Sequence, residues 1–471
     1  MLVIDENRSE AIYIQLYRQL RDKMIHGDLR PGEKMPSTRR LSQDLSVSRN
    51  TVDLAYHQLA SEGYIESRPR KGYFVETLDF SPITKVKRTK TSLEMNIDQE
   101  RDRGRPIEGQ IKYDFKYGML SPEQLPTKQW QRLSNKCMKE SRNNMAFYGP
   151  MFGERDLRIE IQKYLKTYRG VECGVDQIFI GSGVHYCLSM LCQCLRPEVE
   201  NIAMEDPGYH VTRSVLKNHG FRVSPIGLDQ NGIDVKALSK TGAQAVYVTP
   251  SHQYPLGIIM PVSRRLELID WAHKNKALII EDDYSCHLRY NAKPVQSLKS
   301  ISSKDVVYIG SFSKFLFPTL RVAYMVLPQD RVKSFQEQFE GYPSSVSYPV
   351  QKTLSLFMKE GHWESYLRKN RKIQKKKHDL LVEALKDSFS DTINIYGMNA
   401  GLHLMIELKK PLSEAELIEK AQKSGVGVYP TKKFWNRPDQ RAYSSVILGF
   451  GGIEEDDIVP AVKALYSAWE T

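Results

Sequence analysis

Apolar residues near the start of the chain recur at the spacing of an α-helix. The apolar positions are Tyr13, Leu16, Tyr17, Leu20 and Met24, and Gly27 follows where a helix would end. Steps of three and four residues place these side chains on one helical face. The pattern predicts an amphipathic helix that buries this face in a small core.

Two shorter helices are predicted next, with Ser37 and Ser48 as their capping residues. The second helix carries Val52, Tyr56 and Leu59 on one face and Arg49, Asn50 and Asp53 on the other. Two capped helices joined by a tight link are typical of a helix-turn-helix, whose second helix enters the major groove of DNA. Two short strands around Lys71 and Gly72 then predict a wing that approaches the DNA backbone.

The stretch LRPGEKMPSTRRLSQDLSVSRNTVDLAYHQLASEGYIESRPRKGYFV resembles the winged-helix domain of GntR-type bacterial regulators. The resemblance implies that the partner is double-stranded promoter DNA. It implies contacts to DNA from Arg39, Ser48, Arg49, Thr51, Lys71 and Gly72. Asp53 stands where some relatives carry arginine, which leaves the target sequence open. We therefore expect a DNA-binding domain over residues 1–78, although that segment has 12 basic and 11 acidic residues and so little net charge.

The pattern changes twice after this domain. Residues 79–112 are polar and without sustained periodicity, which predicts a linker. From residue 113 onward, helix-like segments alternate with short apolar runs that end in glycine or polar residues. The runs are QIFIGSG, NIAMEDPGY, AVYVTPSHQ, ALIIEDDY, VVYIGSFSK and VAYMVLP. Such runs are typical of buried parallel strands, and ligands bind at the carboxyl ends of such strands.

The residues that follow these runs predict a site for a phosphorylated aromatic aldehyde. A glycine turn before a helix would hold a phosphate at Gly183, Val184 and His185. Lys314 would supply the amine that condenses with the aldehyde. The remaining candidates are Tyr209 for stacking on the ring, an acid of EDDY for the ring nitrogen, Tyr284 for the ring hydroxyl, and Ser311, Ser313 and Arg321 for the phosphate.

Residues 113–471 resemble a fold-type I aminotransferase, with GSFSKxLxPxxR as the most specific match. The resemblance implies an α/β fold with a mostly parallel central sheet and pyridoxal 5′-phosphate (PLP) as cofactor. It makes Lys314 the Schiff-base lysine, Asp282 the partner of the pyridine nitrogen, Tyr284 the partner of the 3-hydroxyl and Tyr209 the stacking ring. Whether Asp282 or Asp283 faces the nitrogen stays open at this point.

A GntR-type winged helix joined to such a domain resembles the MocR/GabR type of bacterial transcription regulator. The resemblance implies a homodimer that senses an amino compound, or PLP itself, through an aldimine at Lys314. The linker length would permit the small domain of one chain to lie on the large domain of the other. Arg441 is the candidate for an effector carboxylate, with Arg437 nearby. The alternative is a PLP-dependent aminotransferase with an appended DNA-binding domain. Tyr254 stands where many aminotransferases have an asparagine, which weakens that alternative.

Composition bears on the class of protein, on disulfide and metal sites, and on membrane association. The chain has 471 residues, 41% of them hydrophobic and 26% charged, which fits a globular protein of two or three domains. Its six cysteines show no paired spacing with histidines, so we expect neither a disulfide framework nor a metal site. The stretch CLSMLCQC predicts a helix with buried sulfur side chains. We find no signal-peptide pattern or long apolar run, so we expect a cytoplasmic protein with no membrane partner.

Overall fold

The computed structural model describes residues 2, 4, 10–77, 111–290, 295–436 and 444–470. Contacts divide the chain into two units, residues 1–105 and 106–471. Apart from residues 111 and 112, the predicted linker 79–112 lies outside the described residues. The division into domains 1–78 and 113–471 therefore stays a prediction at its boundaries.

The N-terminal unit contains the predicted helices and hairpin. The helices are α1 (Ile12–Ile25), α2 (Thr38–Asp44) and α3 (Arg49–Ser61), and the strands β1 (Ile65–Arg68) and β2 (Gly72–Val75) pair antiparallel. Both predicted caps are confirmed, because the Ser37 hydroxyl accepts from the amide of Arg40 and the Ser48 hydroxyl from that of Thr51. The apolar faces of α1 and α3 pack together in one small core. This unit is a winged helix-turn-helix.

The second unit is built on an eight-stranded sheet with the strand order β4-β11-β10-β9-β8-β5-β6-β7. Its strands are β4 (Ile178–Gly181), β5 (Asn201–Asp206), β6 (Arg222–Asp229), β7 (Gly232–Ile233), β8 (Ala245–Val248), β9 (Leu278–Asp282), β10 (Val306–Ser311) and β11 (Ala323–Val326). The neighbours β6, β5, β8, β9 and β10 are mutually parallel. Their carboxyl ends therefore meet at one edge of the sheet.

The prediction of a parallel strand for VAYMVLP is wrong. Strand β11 runs antiparallel to both of its neighbours, β10 and β4. The connection from β10, residues 312–322, contains no α-helix. Parallel neighbours need a longer crossover, usually through a helix, whereas a short connection returns the chain in the opposite direction. The connection that makes β11 antiparallel is also the one that carries Lys314.

Helices cover this sheet, and a smaller sheet follows it. The helices are α4 (Thr127–Glu140), α5 (Arg155–Arg169), α6 (Val184–Leu195), α7 (His210–Asn218), α8 (Val235–Leu238), α9 (Val262–Asn275), α10 (Leu298–Ile301), α11 (Gln329–Gln338), α12 (Tyr348–Lys359), α13 (His362–Phe389), α14 (Glu414–Lys423) and α15 (Glu455–Glu470). Strands β12 (Ile393–Tyr396), β13 (His403–Leu408), β15 (Tyr429–Pro430) and β16 (Ser445–Gly449) form an antiparallel sheet, and β3 (Tyr113–Asp114) pairs with β14 (Val426–Gly427).

Two smaller predictions can be compared with this structure. All six cysteines are free thiols, and within CLSMLCQC the helix α6 buries Cys187 and Cys192 while Cys194 is half-buried. Among the helices that the structure describes, none combines the length and apolar character needed to cross a membrane.

Candidate functional site

A pocket lies at the carboxyl edge of the parallel strands. The space among its lining side chains is about 680 Å³, part of it open to solvent. The pocket is lined by Tyr117, Val184, His185, Tyr209, Tyr247, Thr249, Tyr254, Asp282, Tyr284, Ser311, Ser313, Lys314 and Arg321. Gly183 contacts the guanidinium of Arg321. The structure therefore brings together every described residue that the sequence suggested for cofactor binding.

Lys314 extends into this pocket from the connection after β10. Its Nζ lies 4.1 Å from the centre of the Tyr117 ring, a cation–π distance. Burial lowers the pKa of Lys314 to about 8, although the nearby Asp282 acts in the opposite direction. A lowered pKa leaves more of the amine neutral near physiological pH, and only the neutral amine is a nucleophile. Lys314 therefore has the properties of a reactive amine rather than of a solvated charge.

The two aspartates of EDDY face different surroundings. Asp282 ends β9 and lines the pocket, where one carboxylate oxygen accepts from the Tyr247 hydroxyl. Asp283 instead contacts Arg169 at 2.7 Å and accepts from the Tyr308 hydroxyl at 2.7 Å. Asp282 is therefore the acid that faces the pocket.

The pKa values of the two aspartates are shifted in opposite directions. Burial raises the pKa of Asp282 to about 7, and the neighbouring Asp283 adds to the rise. Burial alone would raise the pKa of Asp283 as well, but Arg169 holds it below its ordinary value. The second oxygen of Asp282, Oδ1, is buried and has no hydrogen-bond partner within the described part of the chain. This oxygen is free to accept from a donor inside the pocket.

The opposite side of the pocket can hold an anion. Helix α6 begins after Gly183, which has a φ of +106° and no side chain to cap the helix. The first amides of a helix have no partner within it, so those of Val184 and His185 are available to a ligand. Arg321 lies beside this turn, and a Cβ on residue 183 would come within 2.3 Å of its Nη2.

Two serines complete this cradle. The Ser311 hydroxyl accepts from the amide of Ser313 at 3.2 Å. The Ser313 hydroxyl is buried and, within the described residues, has no partner. Together with the glycine turn and the guanidinium, these groups form the kind of site that binds a phosphate.

The pocket wall is unusually rich in tyrosine. Tyr209 stacks against His185, with ring centres 5.9 Å apart, and the Tyr284 hydroxyl donates to the backbone carbonyl of His252 at 2.9 Å. Sequence reasoning missed Tyr117, Tyr247 and Thr249. Tyr247 lies inside an apolar strand, and the bond from its hydroxyl to Asp282 depends on strand order. That signal is not readable from one sequence.

The predicted DNA-contact residues lie on α2, α3 and the wing. Ser48 already uses its hydroxyl within the cap, where it also lies 2.7 Å from the Thr51 hydroxyl. The Arg49 side chain is exposed and lies 3.7 Å from Asp53. Arg39, Lys71 and Gly72 are also exposed. Arg437 and Arg441, the candidates for effector binding, lie outside the described residues.

Comparison with known proteins identifies both units. Residues 116–438 match the family described as aminotransferase class I and II, and residues 12–75 match the bacterial regulatory proteins of the gntR family. The chain is 37% identical to an uncharacterized HTH-type transcriptional regulator, YdeL, of Bacillus subtilis (strain 168), over 98% of this chain and 97% of the relative. The chain is an HTH-type transcriptional regulator with an aminotransferase class I and II domain.

Two further comparisons agree with this assignment. The regulator is 30% identical to the probable rhizopine catabolism regulatory protein MocR of Rhizobium meliloti, over 100% of this chain and 96% of the relative. Its fold matches the crystal structure of an archaeal alanine:glyoxylate aminotransferase with a TM-score of 0.69 and 22% identity, over 80% of this chain and 94% of the other. This regulator thus combines a gntR-type DNA-binding unit with an aminotransferase fold.

The environment of Asp282 leads to a prediction about stability. Its folded-state pKa of about 7 is raised above its ordinary value of 3.8, so its contribution to stability is complete below pH 3.8 and is lost as the pH rises from there to 7. Asparagine does not ionise, so Asp282→Asn does not lose this stability as the pH rises. We expect the cofactor-free variant to exceed the parent in free energy of unfolding at pH 8 by on the order of 1 kcal/mol, with a smaller difference at pH 5. Denaturant titrations at several pH values measure this difference.

Asp283→Asn is the matched control. Because it removes the partner of the buried Arg169, it should destabilise the protein at pH 8. An Asp282→Asn difference that is the same at every pH would mean that Asp282 does not titrate in this range.

Proposed function

We propose that this regulator binds PLP in the pocket at Lys314 and alters its affinity for promoter DNA when a small amino compound reaches the same site. PLP carries an aldehyde that condenses with primary amines, and its protonated pyridine ring withdraws electrons from the atoms attached to it. The protein supplies the groups that hold this cofactor and that control the charge of the lysine.

The observation that carries the proposal is the unpaired oxygen of Asp282. Oδ1 is buried, and a buried acceptor without a donor is unfavourable. A pyridinium N–H is a donor that would satisfy it, and the positive ring would favour the ionised carboxylate. The Tyr247 hydroxyl holds the other oxygen and so orients the carboxylate toward the pocket. The residues present therefore fit a protonated nitrogen heterocycle.

The rest of the pocket fits the other parts of PLP. The cradle of Gly183, Ser313 and Arg321 suits the phosphate, since it combines amides, a hydroxyl and a guanidinium. Tyr209 offers a ring face to the pyridine. Lys314 holds its amine against Tyr117 inside the pocket. Because the pKa of Lys314 is low, the free-energy cost of deprotonating its amine is small.

Signalling then depends on competition for the site. An amino compound that takes the place of Lys314 frees the lysine side chain and changes the charge in the pocket. An effector shifts an equilibrium between two arrangements only through its different affinity for each, and a tenfold change in DNA binding needs about 1.4 kcal/mol of that difference. Binding, rather than turnover, is sufficient for this role.

An aminotransferase with an appended DNA-binding unit is the second candidate. It is favoured by the pocket, which combines a reactive lysine, an acid facing the ligand and an anion cradle on an aminotransferase fold. The two candidates differ in turnover. A regulator stops after one exchange at the site, whereas an aminotransferase converts many equivalents of amino donor and keto acid in a multiple-turnover assay.

Lys314→Ala tests the cofactor proposal. After incubation with PLP and borohydride reduction, mass spectrometry should locate the cofactor on the peptide that contains Lys314 in the parent. The variant should carry no such label and should lose the visible absorption band of the lysine-linked cofactor. In equilibrium dialysis the variant should still bind PLP, because the phosphate cradle is intact. Its affinity should be lower than that of the parent, because the lysine is missing.

Finding the reduced PLP label on another lysine of the parent would contradict the proposal. Lys299 is the informative comparison, because burial also lowers its pKa to about 8. Its Nζ donates to two backbone carbonyls, at 2.7 Å each, and does not line the pocket. An unaltered DNA response of Lys314→Ala to added amines would likewise exclude Lys314 as the sensing group.

Arg49→Ala tests the DNA-binding surface. If Arg49 makes a bidentate contact to a base, the variant should bind its operator more weakly by about 1–3 kcal/mol while its binding of PLP is unchanged. Arg18→Ala, an exposed arginine on α1, is the matched control and should have little effect. Fluorescence anisotropy at two salt concentrations measures both. Equal affinities for Arg49→Ala and the parent would mean that another surface contacts the operator.

We also propose that the regulator is a homodimer. Phe147 and Tyr148 are neighbouring aromatic residues with 78% and 92% of their surface exposed. Adjacent apolar groups with such exposure are typical of surfaces that another molecule covers. Changing both to serine should therefore shift the sedimentation coefficient from that of a dimer toward that of a monomer. Leu266→Ser, at an exposed residue of α9, is the control. A parent that sediments as a monomer at micromolar concentration would refute the dimer.

A further inference from the structure

An apolar side chain stands in the middle of the exposed face of α3. Leu54 has 47% of its surface exposed and, among residues 10–77, is the one large hydrophobic residue with such exposure. The other large apolar residues of this helix, Val52, Tyr56 and Leu59, are fully buried. Leu54 therefore contributes nothing to the core of the unit, and its position on the helix needs another explanation.

The helical geometry fixes where Leu54 points. At about 3.6 residues per turn, Asn50, Leu54 and His57 follow one line along the helix, directly opposite the buried face. All three are exposed. Arg49 and Asp53 flank this line on one side, with their side chains 3.7 Å apart. Leu54 lies one turn after the start of α3, in the part of a recognition helix that enters the groove.

The centre and the flanks of such a helix meet different parts of DNA. Side chains at the centre of the exposed face point to the base edges on the floor of the major groove, and those at the flanks, such as Arg49, reach either base edges or the phosphates. Leucine has no hydrogen-bonding group. The apolar group on the major-groove edge of the base pairs is the C5 methyl of thymine.

We propose that Leu54 reads thymine in the operator through this methyl group. The inference rests on the proposed binding of promoter DNA and adds a specificity to it. The surroundings favour DNA over a protein surface as the occupant, since the exposed cations Arg39, Arg49 and Lys71 belong to the same helix-turn-helix and wing. Asn50, one turn earlier on the same line, carries the amide that pairs with adenine. The operator therefore contains an A·T pair opposite Leu54 in each half-site.

The test combines a change in the protein with a change in the DNA. Binding sites are first selected with the full-length regulator from a random double-stranded library. Each thymine of a selected site is then replaced in turn by deoxyuridine, which lacks only the methyl group. At one position in each half-site, this replacement should lower the affinity of the parent by about fourfold, the factor that corresponds to one buried carbon group.

The variants identify the side chain that is responsible. Leu54→Ala should bind the thymine site more weakly and should bind thymine and deoxyuridine sites equally. Leu54→Met, which keeps an apolar side chain of similar size, should retain the preference for thymine. Because Leu54 is exposed, both variants should unfold at the temperature of the parent. Replacing thymines outside the selected site is the control on the DNA.

Three results would overturn the proposal, and they are distinguishable. A parent that enriches no sequence from the library would remove the DNA-binding proposal together with this one. A parent that binds a defined site but is indifferent to deoxyuridine at every position would remove the thymine contact alone. A Leu54→Ala variant that keeps the preference for thymine would show that another side chain reads the methyl group, and a change in its oligomeric state would then identify Leu54 as a protein contact.

Discussion

Two adjacent carboxylates stand at the end of the central strand β9, Asp282 as its last residue and Asp283 directly after it, and the alternation of side chains along extended backbone directs them to opposite sides. Asp283 meets Arg169 and is held as a paired charge, while Asp282 enters the pocket with one oxygen unsatisfied. Two buried acids beside each other would be strongly unfavourable if both lacked a partner. The ion pair of Asp283 therefore permits Asp282 to remain a poorly satisfied acid that is available to a ligand.

The first-turn amides of α3 in the N-terminal unit and of α6 in the second unit differ in whether the N-cap side chain accepts from them. In α3, the Ser48 hydroxyl accepts from an amide of the first turn, so the helix is closed by its own chain. In α6, Gly183 provides no side chain, and the first amides stay open toward the pocket. The same kind of backbone group is thus satisfied by a cap at the start of α3 and left available to a ligand at the start of α6. The residue at the N-cap, Ser48 in α3 and Gly183 in α6, decides which of the two occurs.

The sequence was sufficient for the features that depend on local pattern. The caps at Ser37 and Ser48, the hairpin and the residues that follow each strand were predictable because each is specified by a few consecutive residues. Strand direction in VAYMVLP was not, since it depends on how residues 312–322 return to the sheet. The choice between Asp282 and Asp283 was also left open, because it depends on Arg169, far away in the chain. Tyr117 and Tyr247 were missed for the same reason.

The close approach of Gly183 to Arg321 limits how this pocket can evolve. A side chain at residue 183 would displace the guanidinium, since even a Cβ would come within 2.3 Å of it. The left-handed backbone at this glycine adds a second penalty. A side chain at residue 183 is therefore accommodated only if the Arg321 side chain moves away or is replaced by a shorter one. If anion binding were lost, the guanidinium would no longer be needed, and a shorter residue at 321 would make room for a side chain at residue 183, although the positive φ there would still favour glycine.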